Sequence, residues 1–222
     1  MIDRIHGGNC SRREIIDFSV NTNPLGLPEG LADILSKKTD LVLRYPDASS
    51  DRLRRKISIS DDVTPENIAV GNGSIELIYL IPRAFKIRKP LIITPTFSEY
   101  EFAVRSNGSR PAFFNTSEKD NFKIDCGKLA KCLPRHDALF LCNPNNPTGT
   151  LLHSDDVVYL SRLLKKRRGF LVLDEAFIGF TGQAKSKAVI SEAVNNGSVV
   201  IIRSLTKLFA IPGLRLGYVI GR

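Results

Sequence analysis

The sequence lacks the features that would assign it to a membrane-spanning or secreted class of protein. None of its apolar runs approaches the roughly 18 residues that a transmembrane helix needs. The segment from Met1 to Cys10 contains no apolar stretch of the kind found in secretory signals, so we expect a cytoplasmic protein with no membrane partner. The four cysteines show no C-x-x-C spacing and no nearby histidines in a zinc pattern, which predicts reduced thiols and no metal site.

The composition is poor in acidic residues relative to basic ones: 32 lysines and arginines outnumber 23 acidic residues and give a formal net charge of +9. Basic residues gather at positions 52–56 and 165–168. A nucleic-acid-binding module is one interpretation of such clusters. Neither cluster is interleaved with aromatic residues, so we prefer solvated helix faces and predict no nucleic-acid partner. A small anionic substrate would also suit a basic protein.

Short apolar runs alternate with amphipathic patterns along the chain, which is typical of an α/β fold with a largely parallel sheet. Several runs are almost wholly apolar, as strands buried on both faces should be. We therefore predict a three-layer α/β/α domain around a mostly parallel sheet of seven strands. The predicted strands are Ile68–Gly71, Leu91–Thr94, Pro111–Asn115, Ala138–Cys142, Phe170–Leu173, Val199–Arg203 and Leu214–Ile220. The predicted helices are Ser74–Ala84, Ser98–Ser106, Asp155–Lys166 and Lys185–Asn195.

Small and functional residues follow the ends of five predicted strands. In open α/β sheets, ligands collect at the carboxyl ends of the strands, where loops meet the starts of helices. The five segments are Gly71–Ser74, Pro95–Phe97, Asn143–Gly149, Asp174–Phe177 and Ser204–Lys207. Their convergence predicts a ligand site at one edge of the sheet, although a tight structural turn would explain most of these segments taken alone.

Two of these segments carry charges with a chemical use. Lys207 follows an apolar strand, and desolvation there would lower its pKa and free a neutral amine for a Schiff base. Asp174 follows another apolar run, where a carboxylate is costly without a cationic partner, either a ring nitrogen or a structural ion pair. The Gly71–Ser74 turn opens a helix whose free N–H groups suit a phosphate. Arg215, placed just inside the last predicted strand, can return to the same edge and grip that phosphate.

These motifs, in this order, resemble those of fold type I pyridoxal-phosphate (PLP) enzymes of the aminotransferase class I/II family. The resemblance rests on the glycine turn, Pro95-Thr96-Phe97, Asn145–Gly149, Asp174-Glu175-Ala176, and Ser204-x-x-Lys207 with Arg215. It implies PLP as the cofactor, carried by Lys207, with Asp174 keeping the ring nitrogen protonated so that the ring acts as an electron sink.

The same resemblance implies the remaining contacts to the cofactor. Phe97 would stack on the ring, and Asn146 would bind its phenolic oxygen. The residues implied around the phosphate and the cofactor are Gly73, Ser74, Ile75, Ser204, Thr206 and Arg215. Tyr45 resembles the tyrosine that reaches the cofactor phosphate of the neighbouring subunit, which implies a homodimer; a surface tyrosine in a turn is the alternative.

Within this family, the amino-terminal segment and the run from Ser204 to Tyr218 resemble the threonine-phosphate decarboxylases of cobalamin biosynthesis. Phe177 agrees, because many relatives place a tyrosine there to contact the phenolic oxygen of the cofactor, and phenylalanine has no hydroxyl for that bond. The implied reaction converts threonine phosphate, a small phosphorylated amino acid, to aminopropanol phosphate and CO2. Histidinol-phosphate aminotransferase is the alternative. Implied substrate contacts come from His6, Gly7, Gly8, Asn9, Asn21 and Asn23. Turn capping explains the asparagines equally well.

The resemblance also gives an expected domain organisation. We expect an amino-terminal arm at residues 1–30 and a PLP-binding large domain at 31–222, truncated after the seventh strand and without the family's carboxyl-terminal small domain. Helices that cover the sheet are then expected to be missing, which would leave an apolar patch. A catalytically silent PLP-binding fragment, or one half of a split protein, is therefore a second hypothesis.

Overall fold

A computed structural model describes residues 19–182 and 186–222. Its strands are β1 (Ile68–Asn72), β2 (Pro90–Thr94), β3 (Ala112–Asn115), β4 (Ala138–Cys142), β5 (Phe170–Asp174), β6 (Val199–Ser204) and β7 (Leu216–Ile220). They form one seven-stranded sheet in the order β1-β7-β6-β5-β4-β2-β3. β7 is antiparallel to both of its neighbours, and the other pairs are parallel. The predicted mostly parallel sheet of seven strands is confirmed.

The helices of the described residues precede β1 or connect the strands. They are α1 (Leu31–Ser36), α2 (Asp51–Asp61), α3 (Ser74–Ala84), α4 (Glu99–Ser106), α5 (Cys126–Cys132), α6 (Ser154–Lys165), α7 (Lys187–Asn196) and α8 (Leu205–Leu208). The four predicted helices are confirmed as α3, α4, α6 and α7, whereas α1, α2, α5 and α8 were not predicted from the pattern. Within the described ranges, no helix combines the length and the apolar character that membrane crossing requires.

Both faces of the sheet are covered by helices. Alternate residues of each central strand point to opposite faces, so Leu139 and Leu141 of β4 join one hydrophobic cluster and Phe140 joins the other. The first cluster includes apolar side chains of α2, α5, α6 and α7, and the second includes those of α3 and α4. Every residue of β4 and of β6 is buried as a result. The expectation of an uncovered, apolar sheet face is therefore wrong.

The first residue of β7 differs from the prediction. The strand begins at Leu216 rather than Leu214, because a single 3-10 turn occupies Pro212–Leu214. Arg215 follows that turn with a φ of 50°, in the left-handed region, and so lies just before the strand rather than inside it. Since β7 is antiparallel to β6, its start lies at the same sheet edge as the end of β6, and Gly217 is paired with Ser204.

Candidate active site

Asp174 is the charged end of a buried strand. It is the last residue of β5, its side chain is almost fully buried, and desolvation raises its pKa. Its oxygens accept hydrogen bonds from the Tyr100 hydroxyl at 2.7 Å and from the Ala176 N–H at 2.9 Å. A carboxylate offers about four lone-pair sites, so Asp174 retains acceptor capacity for a cationic partner.

Tyr100, which the sequence analysis missed, holds this carboxylate in place. It lies in α4, is fully buried, and has a raised pKa because of burial and the Asp174 charge, so its hydroxyl stays a donor. Cys142 stands beside Asp174 in the sheet, and burial followed by the Asp174 charge raises its pKa to about 12. Both neighbours are therefore neutral near pH 7. The only available signal for Tyr100 was its position one helical turn after Phe97.

Lys207 lies at the same sheet edge, in the short helix α8 that directly follows β6. Its side chain is half-buried, and this desolvation lowers its pKa, with the positive charge of Arg215 lowering it further. A lower pKa increases the share of neutral amine, which is the form that attacks an aldehyde carbon. The environment that was predicted for Lys207 is thus present in the structure.

The amino-terminal segment contacts the main chain of Lys207. The Asn23 N–H donates to the Lys207 carbonyl at 3.0 Å, and the Asn23 amide donates to the Leu208 carbonyl at 2.9 Å. The side chain of Asn23 is thereby engaged with the main chain next to Lys207. Asn21 is exposed and makes no hydrogen bond within the described part of the chain. The predicted substrate residues His6, Gly7, Gly8 and Asn9 lie outside the described residues.

The start of α3 and the guanidinium of Arg215 form an anion cradle. Gly73 precedes α3 with a φ of 81°, a conformation that favours glycine. A Cβ atom on Gly73 would lie 2.6 Å from Arg215 Nη2, so the guanidinium lies directly against the bare glycine. The N–H groups of Ser74 and Ile75 belong to the first turn of the helix, where the backbone dipole favours negative charge. Two positive features therefore meet at one point.

Two hydroxyl side chains adjoin this cradle. Ser204 ends β6 and Thr206 lies in α8, and their buried hydroxyls share a hydrogen bond of 2.7 Å. Ser204 is paired in the sheet with Gly217. A Cβ atom on Gly217 would lie only 2.8 Å from the carbonyl carbon of Gly73, so the bare glycine lets β7 pack against the Gly73–Ser74 peptide. This close approach brings the two hydroxyls and the cradle to adjacent positions.

In the asparagine-rich loop after β4, the side-chain amide of Asn145 is used in structural hydrogen bonds, whereas that of Asn146 is available. The side chain of Asn145 donates to the Pro95 carbonyl at 2.9 Å and to Thr148 at 2.8 Å, and it accepts from Thr96 at 3.1 Å. Asn146 is half-buried, and its amide makes no hydrogen bond to the residues that the structure describes. The predicted ligand amide is thus the one that the fold leaves available.

The aromatic residues of the predicted site have different surroundings. Phe97 follows β2 and is half-buried, with its ring edge-on to the Tyr100 ring at 5.8 Å between centroids. Phe177 is half-buried and lies three residues after Asp174. Tyr45, in contrast, is fully exposed and makes no hydrogen bond to the described residues of this chain, so the fold of one chain does not bring it to the site.

A buried ionic cluster supports the site from the opposite face of the sheet. Arg203 donates to Glu175 at 2.6 Å and to Asp61 of α2 at 3.1 Å, and the Tyr218 hydroxyl donates to Asp61 at 2.7 Å. All four side chains are buried. Because strand residues alternate in direction, Asp174 faces the α4 side while its neighbour Glu175 faces α2. The sequence analysis missed this Asp61 cluster, which joins elements far apart in the chain.

These side chains fit PLP on chemical grounds. The Gly73–Arg215 cradle suits a phosphate, the buried carboxylate of Asp174 has no cationic partner among the described residues, and the lowered pKa of Lys207 favours the neutral amine. A phosphorylated pyridine aldehyde supplies all three counterparts: the phosphate, a protonatable ring nitrogen and an aldehyde carbon. The fold and site thus define an enzyme of the PLP-dependent class.

Comparison with known proteins gives the family. The aminotransferase class I and II profile matches residues 13–222, and the chain belongs to that PLP-dependent family. It is 35% identical to a threonine-phosphate decarboxylase from Salmonella typhimurium, over 99% of this chain and 62% of that protein. The structure of a histidinol-phosphate aminotransferase from Clostridium acetobutylicum is 33% identical, with a TM-score of 0.83 over 93% of this chain and 60% of that one.

A further solved structure, the histidinol-phosphate aminotransferase from Sinorhizobium meliloti in complex with pyridoxal-5'-phosphate, shares the fold. It is 22% identical, with a TM-score of 0.81, and the match covers 90% of this chain and 55% of that one. The chain thus spans roughly three-fifths of the length of the relatives that it matches.

Proposed function

We propose that the chain carries the cofactor half of a PLP-dependent enzyme that decarboxylates threonine phosphate. The observation that favours this reaction is Phe177, which lies three residues after Asp174 and is half-buried beside the same sheet edge. Its ring offers no hydrogen bond to the phenolic oxygen of the cofactor. The similarity to the Salmonella typhimurium decarboxylase supports the same choice.

The proposed roles of the side chains follow from their chemistry. Arg215 and the start of α3 bind the cofactor phosphate, and Asp174 keeps a proton on the ring nitrogen because a buried carboxylate favours a cationic partner. Phe97 packs against the ring, and Asn146 donates to the phenolic oxygen. PLP supplies an electron sink for the electron pair left by the bond that breaks.

Decarboxylation and transamination make different demands on Lys207. Loss of CO2 requires no removal of a proton from the substrate Cα, so the Lys207 ammonium has only to return a proton to that carbon. Transamination requires the neutral amine to remove the Cα proton first and to deliver it to a second carbon. The lowered pKa of Lys207 raises the share of neutral amine but does not distinguish the two reactions, so an assay has to compare them directly.

The test supplies the purified 222-residue chain with PLP and either threonine phosphate or the pair glutamate and imidazole-acetol phosphate. We expect CO2 and aminopropanol phosphate from the first mixture and no amino transfer in the second. The Lys207→Ala variant is the control, and it should neither release CO2 nor show the visible absorption of the linked cofactor. Amino transfer without CO2 would establish the aminotransferase alternative. Cofactor binding without either reaction would favour the silent PLP-binding alternative.

We also propose that the site is completed in a homodimer by Tyr45 of the neighbouring subunit. None of the side chains of residues 31–45 is buried in this chain. The apolar Val42 and Leu43 are each 85% exposed, and Tyr45 is fully exposed. Apolar side chains with this exposure are typical of a surface that another chain covers. A second copy that covers this segment would place a tyrosine hydroxyl at the phosphate cradle of its partner.

Mixed dimers test this arrangement. Tyr45→Ala and Lys207→Ala should each abolish or strongly reduce activity, but their mixture should recover up to a quarter of the wild-type activity, because a mixed dimer contains one intact site. Sedimentation of the separate variants checks that both still dimerise. Failure of the mixture to recover activity, with dimers present, would place Tyr45 outside the site.

A further inference from the structure

A strongly basic hollow lies at the sheet edge opposite the cofactor edge. It has a volume of about 430 Å³ and is lined by Arg88, Lys89, Gly108, Arg110, Arg135 and His136. These residues come shortly before β2, β3 and β4, which are adjacent parallel strands. The candidate active-site loops follow the other ends of β2 and β4. The hollow is therefore separated from the cofactor site by the length of the strands.

Hydrogen bonds to the main chain of Arg88, Lys89 and Arg110 fix the frame of the hollow. The Arg110 N–H donates to the Arg88 carbonyl at 2.9 Å, and the His136 ring nitrogen Nδ1 lies 3.1 Å from the Lys89 carbonyl oxygen. The Asp137 carboxylate accepts from the N–H groups of Arg88 at 2.6 Å and Lys89 at 2.9 Å. The backbone that carries these basic side chains is therefore held in one arrangement before any ligand arrives.

The positive charge around the hollow is not neutralised by neighbouring acids. Within residues 19–182 and 186–222, the side chains of Arg88, Lys89, Arg110 and Arg135 form no ion pair with a carboxylate, and all four residues are exposed. The nearby carboxylate of Asp137 is occupied by main-chain N–H groups. A concave surface with charge of one sign concentrates the electrostatic potential and attracts oppositely charged ligands.

We propose that this hollow binds a small polyphosphate anion, such as pyrophosphate or the phosphate tail of a nucleotide. Three guanidinium groups offer planar, paired donors that match phosphate oxygens. Four positive charges around one hollow suit an anion with more negative charge than the roughly two of a phosphate monoester. The volume falls in the range of small-molecule sites, roughly 300–1,000 Å³. Two features disfavour a nucleic-acid strand as the ligand. The charges gather around one hollow and do not form an extended stripe, and the lining contains no phenylalanine, tyrosine or tryptophan on which bases could stack.

Calorimetric titration of the full chain with inorganic pyrophosphate tests the proposal, with and without saturating PLP. We expect one pyrophosphate per chain under both conditions and no loss of the visible absorption of the cofactor. The Arg88→Ala/Arg110→Ala double variant should bind at least about tenfold more weakly, because it loses charge-assisted hydrogen bonds. The matched control is Lys166→Ala/Arg167→Ala, which removes the same charge from exposed positions elsewhere and should change the affinity less than about twofold.

Several results would overturn the polyphosphate site. They are an equal loss of affinity in both double variants, absence of binding by the wild-type chain, and displacement of the cofactor by pyrophosphate. Orthophosphate that binds as tightly as pyrophosphate would remove the preference for several phosphates, and tighter binding of short duplex DNA would replace the ligand class. Melting temperatures within a few degrees of wild type confirm that the variants are folded. A failure of decarboxylase activity leaves each of these readouts unaffected.

Discussion

Replacing Asp174 by asparagine should stabilise the cofactor-free protein while abolishing its function. The carboxylate is buried, receives only two hydrogen bonds from the described residues, and has a raised pKa because of desolvation. Asparagine keeps the shape and the bond to Ala176 but removes the buried charge. Relief of an under-satisfied buried charge of this kind is worth about 2 kcal/mol. For a chain of this length, that corresponds to a rise in melting temperature of about 4–8 °C.

The pH dependence of this gain has a definite sign. Because the pKa of Asp174 is raised in the folded protein, the folded chain holds its proton at pH values where the unfolded chain has already lost it. Wild-type stability therefore falls as pH rises from about 4, the ordinary aspartate pKa, to the raised folded value. The advantage of Asp174→Asn should be absent below about pH 4, grow across that window and stay constant above it.

Thermal melts of both proteins from pH 4 to 8, with and without PLP, provide the measurement. Saturating PLP should reverse the order, because the cofactor stabilises only a chain that binds it well. Asp137→Asn is the control with the opposite sign, since that carboxylate accepts hydrogen bonds from the N–H groups of Arg88 and Lys89 and its loss should destabilise the fold at pH 7. The reasoning is refuted if Asp174→Asn lowers the melting temperature at pH 8, or if its effect does not change with pH.

Three other substitutions test neighbouring parts of the site. Tyr100→Phe removes a hydrogen bond to Asp174 and should cost roughly 1.5–3 kcal/mol of stability and weaken PLP binding in an absorbance titration; unchanged affinity would contradict its positioning role. Arg203→Met leaves two buried carboxylates without their cation and should lower the free energy of unfolding by about 3–5 kcal/mol in urea melts, whereas a smaller loss than 1 kcal/mol would show that the Asp61 cluster contributes little. Gly217→Ala forces a Cβ into the Ser74 backbone and should lower the free energy of unfolding by about 3 kcal/mol and weaken PLP binding. Gly221→Ala is the control: its Cβ would make only ordinary contacts, so urea melts and the absorbance titration should show no change.

The sheet was predictable because its strands are short, almost wholly apolar runs, a pattern that is visible locally in the sequence. Ala138–Cys142 was located to the residue, and all five of its residues are buried. The start of β7 was misplaced, because Leu214 continues the apolar pattern while Pro212 and the left-handed Arg215 set the actual boundary. Periodicity alone does not record such a local backbone reversal.

The residues that support the site were not predictable from local pattern. Asp61 lies in a polar stretch of α2 that reads as a solvated helix end, yet it is buried against Arg203, 142 positions later in the chain. Tyr100 likewise meets Asp174 across 74 positions. Partners that come together only through the fold leave no periodic signal in the sequence. The side chains proposed to contact the cofactor were easier to pick out, because they follow strand ends in recognisable motifs.

The reversed strand β7 has a consequence for the order in which the protein can mature. β7 is inserted between β1 and β6, and it is the only strand neighbour of β1 in the described sheet. While residues 216–220 are still inside the ribosome, β1 has no strand to pair with. The glycine turn after β1 and the Ser204 hydroxyl at the end of β6 are then not yet held in the same sheet. The proposed phosphate contacts therefore cannot assemble before residues 216–220 have emerged, and cofactor uptake becomes an indicator that the sheet has closed.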